Sequence, residues 1–190
     1  YNIKHNEEIN RHEHVVIYFK DFNLRYQDTR KFGRMYLYKK DEAYNRKPLN
    51  ELGYEPWDAN LNVDYLNEKY KNIKKPIKEV LLDQSIIVGI GNIYADEILF
   101  LSGINPFRKA NELTLDELNK IIKNTRVVFE EAIKDGGTTI RTYTSSEGVH
   151  GRFQQNLNVH NQKVCKKCKL PVFVDRIAGR STYYCTNCQK

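Results

Sequence analysis

The side chains with the most sharply defined chemistry lie near the end of the chain. Cys165-x-x-Cys168 and Cys185-x-x-Cys188 are two knuckles separated by 16 residues, and they hold all four cysteines of the 190-residue sequence. Thiolates in this pattern match a tetrahedral zinc site made of four cysteines. Two disulfides, or a redox-active pair, are the alternatives. The first lacks a secretory signal and the second lacks a thioredoxin-like βαβ setting. Four thiolates leave zinc no open position for water, so one Zn²⁺ here is expected to be structural. It would staple a unit too small to build an adequate core. Val172 to Val174 and Ser181 to Tyr184 read as the strands of a hairpin. Arg176-Ile177-Ala178-Gly179-Arg180 would be its tip, with two cations suited to a DNA groove.

A second constellation occupies residues 74–101, KKPIKEVLLDQSIIVGIGNIYADEILFL. It reads as helix, tight glycine-rich hairpin, helix. Pro76 suits a first helical position, because it has no N–H to waste. Gly89 and Gly91 permit backbone turns closed to other residues. Asn92 stands where an N-cap is expected, and Ile93, Ala95, Ile98 and Leu99 continue an apolar face. A helix N-terminus exposes free N–H groups and attracts anions. Lys74, Lys75 and Lys78 stand just upstream, so a phosphate backbone is the natural anion.

Two loops carry further candidates. Asp28-Thr29-Arg30-Lys31-Phe32-Gly33 places two cations and an aromatic on one tight turn. The cations suit phosphate, and the aromatic can wedge or stack between bases. The alternative is a plain hairpin with Phe32 packed inward. Thr138-Thr139-Ile140-Arg141-Thr142-Tyr143 follows Gly136-Gly137 and is too polar to be buried. It is either a surface loop or a loop that closes on a ligand with hydroxyl and backbone donors.

The elements that must position these residues can be read from periodicity. Val15 to Phe19, Leu24 to Gln27 and Arg34 to Tyr38 are short strand candidates. Residues 39–62 are polar, contain Pro48, Gly53 and Pro56, and read as a linker with Trp57 as a packing anchor. A helix is expected from Asp64 to Tyr70. Thr114 and Glu117 form a capping box. Beyond them Leu118, Ile121, Ile122, Thr125, Val128, Phe129 and Ala132 hold helical spacing and predict a core stripe. The net charge of +7 favours a polyanionic partner. No apolar run approaches membrane-spanning length, and no signal peptide is visible. A cytoplasmic monomer is expected.

Taken together, these motifs resemble the C-terminal two-thirds of a formamidopyrimidine-DNA glycosylase, the bacterial base-excision repair family shared with endonuclease VIII. The residues that carry the resemblance are DTRKFG at 28–33, IKEVLLDQSIIVGIGNIYADEILF at 77–100, GGTTIRTY at 136–143 and GRFQQNLNVH at 151–160. CKKC at 165–168 and GRSTYYCTNCQK at 179–190 complete the set. The resemblance implies an α+β architecture. It would have the remainder of an N-terminal β-sandwich and linker at 1–60, and a helix–two-turn–helix DNA-binding domain with a lesion loop at 61–150. A β-hairpin zinc finger would follow at 151–190.

It also implies removal of oxidised purines, 8-oxoguanine and formamidopyrimidines, from double-stranded DNA, with cleavage at the abasic site. Such an enzyme flips its target nucleotide out of the stack. By matching motifs, Asn92 and Arg180 would grip the phosphates flanking that nucleotide, with Lys74 a further contact. Arg30 would face the orphaned base and Phe32 would wedge the stack. Thr138, Arg141, Thr142 and Tyr143 would close over the lesion. The family's nucleophile is an N-terminal proline amine beside a glutamate, and this sequence opens Tyr1-Asn2-Ile3-Lys4. The expectation is therefore a portion of a longer enzyme, inactive by itself, with no catalytic residue among these 190. A non-catalytic, zinc-dependent module for damaged DNA is the alternative. An RNA-binding zinc ribbon is a weaker one, because it explains the cysteines and charge but not the hairpin motif.

Overall fold

The computed structural model describes residues 2–3, 8–137 and 153–190. Near the start, β1 (Asn2–Ile3), β2 (Glu13–Tyr18) and β3 (Asn23–Gln27) form an antiparallel sheet in the order β1-β3-β2. Strand formers on either side of a turn at 19–22 make the β2–β3 hairpin. Its interior holds a buried ion pair, Arg25 to Glu13 at 3.0 Å. The expected third strand, Arg34 to Tyr38, is not a strand. A strand needs a partner for its backbone. These residues find none among the described ones, and Leu37 is left 97% exposed.

The second half of the stretch read as a linker, from Gly53 on, is instead built into the helical body. Gly53 N–H donates to the Gln84 carbonyl at 2.8 Å, and Tyr54 N–H to that of Ile86 at 3.3 Å. Gly53 is required there: a Cβ would stand 2.3 Å from the Ile86 carbonyl oxygen. Leu61 is buried in the main core. Trp57 is half exposed, its ring edge-on to Phe129 at 6.1 Å.

Four helices follow: α1 (Val63–Tyr70), α2 (Ile77–Leu81), α3 (Asn92–Ser102) and α4 (Leu115–Lys134). Asn62 caps α1 by accepting the Tyr65 N–H at 2.9 Å. The Thr114–Glu117 capping box opens α4 as expected, and the whole predicted stripe is buried apart from the half-buried Phe129. Gly136 and Gly137, both at positive φ, end the helix, with the Gly137 N–H returning to the Ala132 carbonyl at 2.7 Å. Helix α3 lies at the centre of the molecule. It packs on α4 and α2, and its other side receives the zinc-knuckle hairpin, so even its charged residues are buried.

That hairpin pairs β4 (Phe173–Ile177) with β5 (Arg180–Tyr184). Its turn is only Ala178-Gly179, both at positive φ, the two-residue turn that matches strand twist. The strands therefore zip further than expected. Arg176 lies within β4 opposite Ser181 rather than at the tip, and Arg180 is the first residue of β5.

Candidate nucleic-acid interface

The four cysteine sulfurs converge. Cys165 and Cys188 are 3.9 Å apart, Cys168 and Cys185 3.4 Å apart, and all four ligand atoms lie within 4.8 Å of one another. A tetrahedron with metal–sulfur bonds of about 2.3 Å has edges of about 3.8 Å. A disulfide requires about 2.05 Å, so the sulfurs fit a metal and not a bond. The Leu170 N–H draws the Cys168 thiol down to about 6. Burial pushes Cys185 and Cys188 up. The four sulfurs are thus placed to ligate one cation.

The cysteine knuckles share a small core with α3, where Phe100 packs beside Val159, Cys165 and Cys185. Two acidic residues on α3 bind the rest. Glu97 accepts four hydrogen bonds: the N–H groups of Asn158 at 2.7 Å, Val159 at 2.9 Å and His160 at 2.9 Å, and Asn158 Nδ2 at 2.9 Å. Asp96 pairs with Lys78 Nζ at 2.7 Å through one oxygen and meets His160 Nδ1 at 2.7 Å through the other. Lys78 and Asp96 are completely buried. Lys78 is thus not an open phosphate contact, as its place beside Lys74 and Lys75 suggested. Burial lowers its pKa, and Asp96 opposes that shift. Its ammonium also donates to the Ser181 carbonyl at 2.8 Å and to Thr182 Oγ1 at 3.0 Å.

The Ser181 carbonyl receives a second donor, Asn92 Nδ2 at 3.0 Å. Asn92 is the first residue of α3, not its cap. Gly91 takes the capping position, extended at φ −99°, and its carbonyl accepts the Ala95 N–H at 2.9 Å. That backbone is open to any residue, so a special conformation is required at Gly89 (φ +89°) and not at Gly91. What Gly91 does is leave the helix end bare, because no side chain caps the first turn of α3. Asn92 Oδ1 is buried and has no hydrogen-bond partner among the described residues. Arg180, exposed and adjacent to Ser181, stands close enough to Lys78 to depress its pKa further. Asn92 and Arg180 are therefore brought together. Lys74 is exposed with no partner among the described residues, whereas Lys75 is occupied by Glu79 at 2.6 Å.

The 28–33 loop presents Arg30 and Phe32 at the surface. Phe32 is 73% exposed, with the Arg30 guanidinium 4.7 Å above its ring. The inward-packed alternative for Phe32 is excluded. Thr138, Arg141, Thr142 and Tyr143 lie outside the described residues. The acidic pair on α3 was missed by sequence reasoning. Its signal was available: two consecutive carboxylates interrupt a helix that is otherwise apolar on every face.

Residues 52–144 match the family model of the formamidopyrimidine-DNA glycosylase H2TH domain. A Bacillus cereus formamidopyrimidine-DNA glycosylase is 47% identical over 186 residues, covering 96% of this chain and 67% of that protein. A Lactococcus lactis FPG variant, crystallised with a Fapy-dG containing DNA, superposes with a TM-score of 0.91 at 31% identity. The match covers 100% of this chain and 70% of that one. The Lactococcus lactis Fpg in complex with an abasic site containing DNA gives 0.90 at 32% identity, with the same coverage.

Proposed function

The chain belongs to the formamidopyrimidine-DNA glycosylase family, and from that premise we propose that it is the DNA-gripping part of a base-excision repair enzyme acting on oxidised purines. The observation that carries this reading is the convergence of Lys78 and Asn92 on the Ser181 carbonyl, which seats Arg180 beside the uncapped N-terminus of α3. An exposed guanidinium and a bare helix end make a site for a phosphodiester. Asn92 is the adaptable member. Its NH₂ group donates to the Ser181 carbonyl, and the same group can donate to a phosphate oxygen instead. Lys74 adds a positive charge upstream of α2. At the 28–33 loop, Phe32 enters the base stack beside an extruded nucleotide and Arg30 faces the base left behind. Thr138, Arg141, Thr142 and Tyr143 complete the lesion pocket.

One Zn²⁺ held by Cys165, Cys168, Cys185 and Cys188 would supply a closed structural centre. The residues present fit it in number, spacing and burial. Its consequence for function is indirect, since it holds β5, and hence Arg180, against α3. The partner is duplex DNA with an oxidised purine or abasic site, bound by a monomer in the bacterial cytoplasm.

Glycosylase and lyase chemistry through a Schiff base needs a neutral amine held at the sugar C1′. None of the prolines at 48, 56, 76, 106 and 171 offers a free amine. The polypeptide of these 190 residues is expected to bind damaged duplex without cutting it. Titrating it with a duplex that carries an abasic analogue should show affinity falling steeply with salt, as phosphate contacts release counterions. Arg180→Ala should weaken binding by about 1–3 kcal/mol. Borohydride should trap no covalent adduct. Salt-independent binding, or normal binding by the Arg180 variant, refutes the phosphate assignment. A trapped adduct refutes the assignment of chemistry elsewhere.

A further inference from the structure

The Arg30–Phe32 tip hangs from one side chain. Asp28 Oδ1 accepts the N–H groups of Arg30 at 3.0 Å and Lys31 at 2.9 Å. Asp28 Oδ2 accepts the N–H of Gly33 at 2.7 Å and the Tyr26 hydroxyl at 3.1 Å. The carboxylate thereby serves three loop amides at once. Against it the loop has one long backbone bond of its own, Lys31 N–H to the Asp28 carbonyl at 3.4 Å.

The conformation held this way is not one the chain adopts unaided. Lys31 sits at φ +55°, a region that costs a residue with a Cβ. Gly33 lies directly on Tyr26: a Cβ at that position would be 1.5 Å from the Tyr26 hydroxyl oxygen and 2.7 Å from Cζ. Asp28 itself is fixed to the sheet. Its N–H donates to the His12 carbonyl at 3.0 Å, and its carbonyl meets His14 Nε2 at 2.9 Å. The Gly33 N–H, ahead of the other amides and the Tyr26 hydroxyl, holds the Asp28 carboxyl below its usual range, so it is ionised at working pH.

We infer that Asp28 is a positioning residue for DNA: it pre-forms the 30–33 turn on Tyr26 and so holds Phe32 outward, ready to enter a disrupted base stack. This rests on the assignment of Arg30 and Phe32 as the DNA-contacting tip. Without the carboxylate, the Arg30 and Gly33 amides lose their acceptor and Lys31 keeps only its long backbone bond, so Lys31 relaxes to negative φ and the aromatic no longer has a fixed direction. Ordering the loop must then occur during binding, which weakens the complex in which the tip is inserted and leaves other DNA contacts alone.

The readout is the ratio of affinities for an abasic-analogue duplex and the same duplex intact, measured on one preparation of the 190-residue chain. An unfolded fraction cancels in that ratio. Asp28→Ala should lower it about tenfold, the scale of one or two lost hydrogen bonds. Asp28→Asn keeps the acceptor for Arg30 and Lys31 but turns an NH₂ toward the Gly33 N–H, and should fall between. In a Phe32→Ala background, Asp28→Ala should change the ratio no further. If Phe32→Ala lowers the ratio and Asp28→Ala does not, the inference is overturned and the tip assignment stands. If Asp28→Ala lowers the ratio equally in both backgrounds, its effect does not run through the tip, and the inference is again overturned. If Phe32→Ala leaves the ratio unchanged, the tip assignment falls and takes the inference with it.

Discussion

Among the described residues, the two cation-bearing places proposed to meet DNA are held by opposite means. At the α3–hairpin junction, Arg180 is positioned by groups far from it in sequence: Lys78 and Asn92 through Ser181, Asp96 and Glu97 beneath them, and a cysteine cluster behind. At the 28–33 loop, Arg30 and Phe32 are positioned by Asp28, two and four residues away, at the surface. The first arrangement buries charge and functions only when the whole junction is assembled. Buried ion pairs are weak sources of net stability but expensive to break. The second is a local device whose failure should stay local. The junction should therefore behave as a structural unit, and the tip as an independent part.

The largest expected effect comes from the metal cluster. Metal binding at such four-cysteine centres contributes folding energy of about 10–16 kcal/mol. Chelation, or Cys185→Ser, should unfold residues 161–190, release Arg180 from α3 and abolish specific DNA binding. The tip should be untouched. Zinc content near one equivalent per chain, and loss of amide protection in β4 and β5 on chelation, are the measurements. Protein with less than half an equivalent of zinc and a protected hairpin would contradict this.

A smaller but still large effect is expected from Asp96→Asn. The substitution preserves shape and removes the only carboxylate paired, among the described residues, with the buried Lys78 ammonium. Leaving one partner of a buried pair uncompensated costs about 3–5 kcal/mol. Denaturant unfolding should register that loss, and DNA affinity should fall with it, because β5 loses its reference to α3. The sharper comparison is Asp96→Asn combined with Lys78→Met, which removes both charges. It should recover stability relative to Asp96→Asn alone. If it does not, Asp96 acts through His160 and the Tyr183 backbone rather than through Lys78.

The same contrast explains what the sequence made legible. The cysteine knuckles and the α4 stripe with its capping box are encoded by residues close together in the chain, so spacing sufficed; for 28–33 spacing left an inward-packed Phe32 open, and the outward ring is seen only in the structure. The cationic hairpin was legible too, but its turn was read as too long, because Ala178 gave no sign that it would take a positive φ. Arg34 to Tyr38 has strand composition and, among the described residues, no strand partner. Lys78 was read with Lys74 and Lys75 as one basic cluster, because nothing local says which lysine meets Asp96. Gly53 looked like linker punctuation. Its role depends on the Ile86 backbone lying 2.3 Å from its missing Cβ, and that is a fact of tertiary contact alone.

The smallest effect on stability, and the clearest separation of the two regions, should come from Phe32→Ala. Phe32 is 73% exposed and its described cation contact is with the exposed Arg30. Its removal takes little apolar surface out of a packed environment, and surface changes of this kind stay within about 0.5 kcal/mol. The unfolding midpoint should hardly move. Binding to intact duplex, which the proposed phosphate contacts at the junction would carry, should also persist with its salt dependence unchanged. What should be lost is the preference for a duplex that already has a gap in its stack, because only there can the ring replace lost base stacking, worth about 1–3 kcal/mol. Arg180→Ala should do the reverse, lowering both affinities together and preserving their ratio. If instead Phe32→Ala lowers the unfolding midpoint by several degrees, the ring supports the fold, and the separation between a buried junction and an independent tip does not hold.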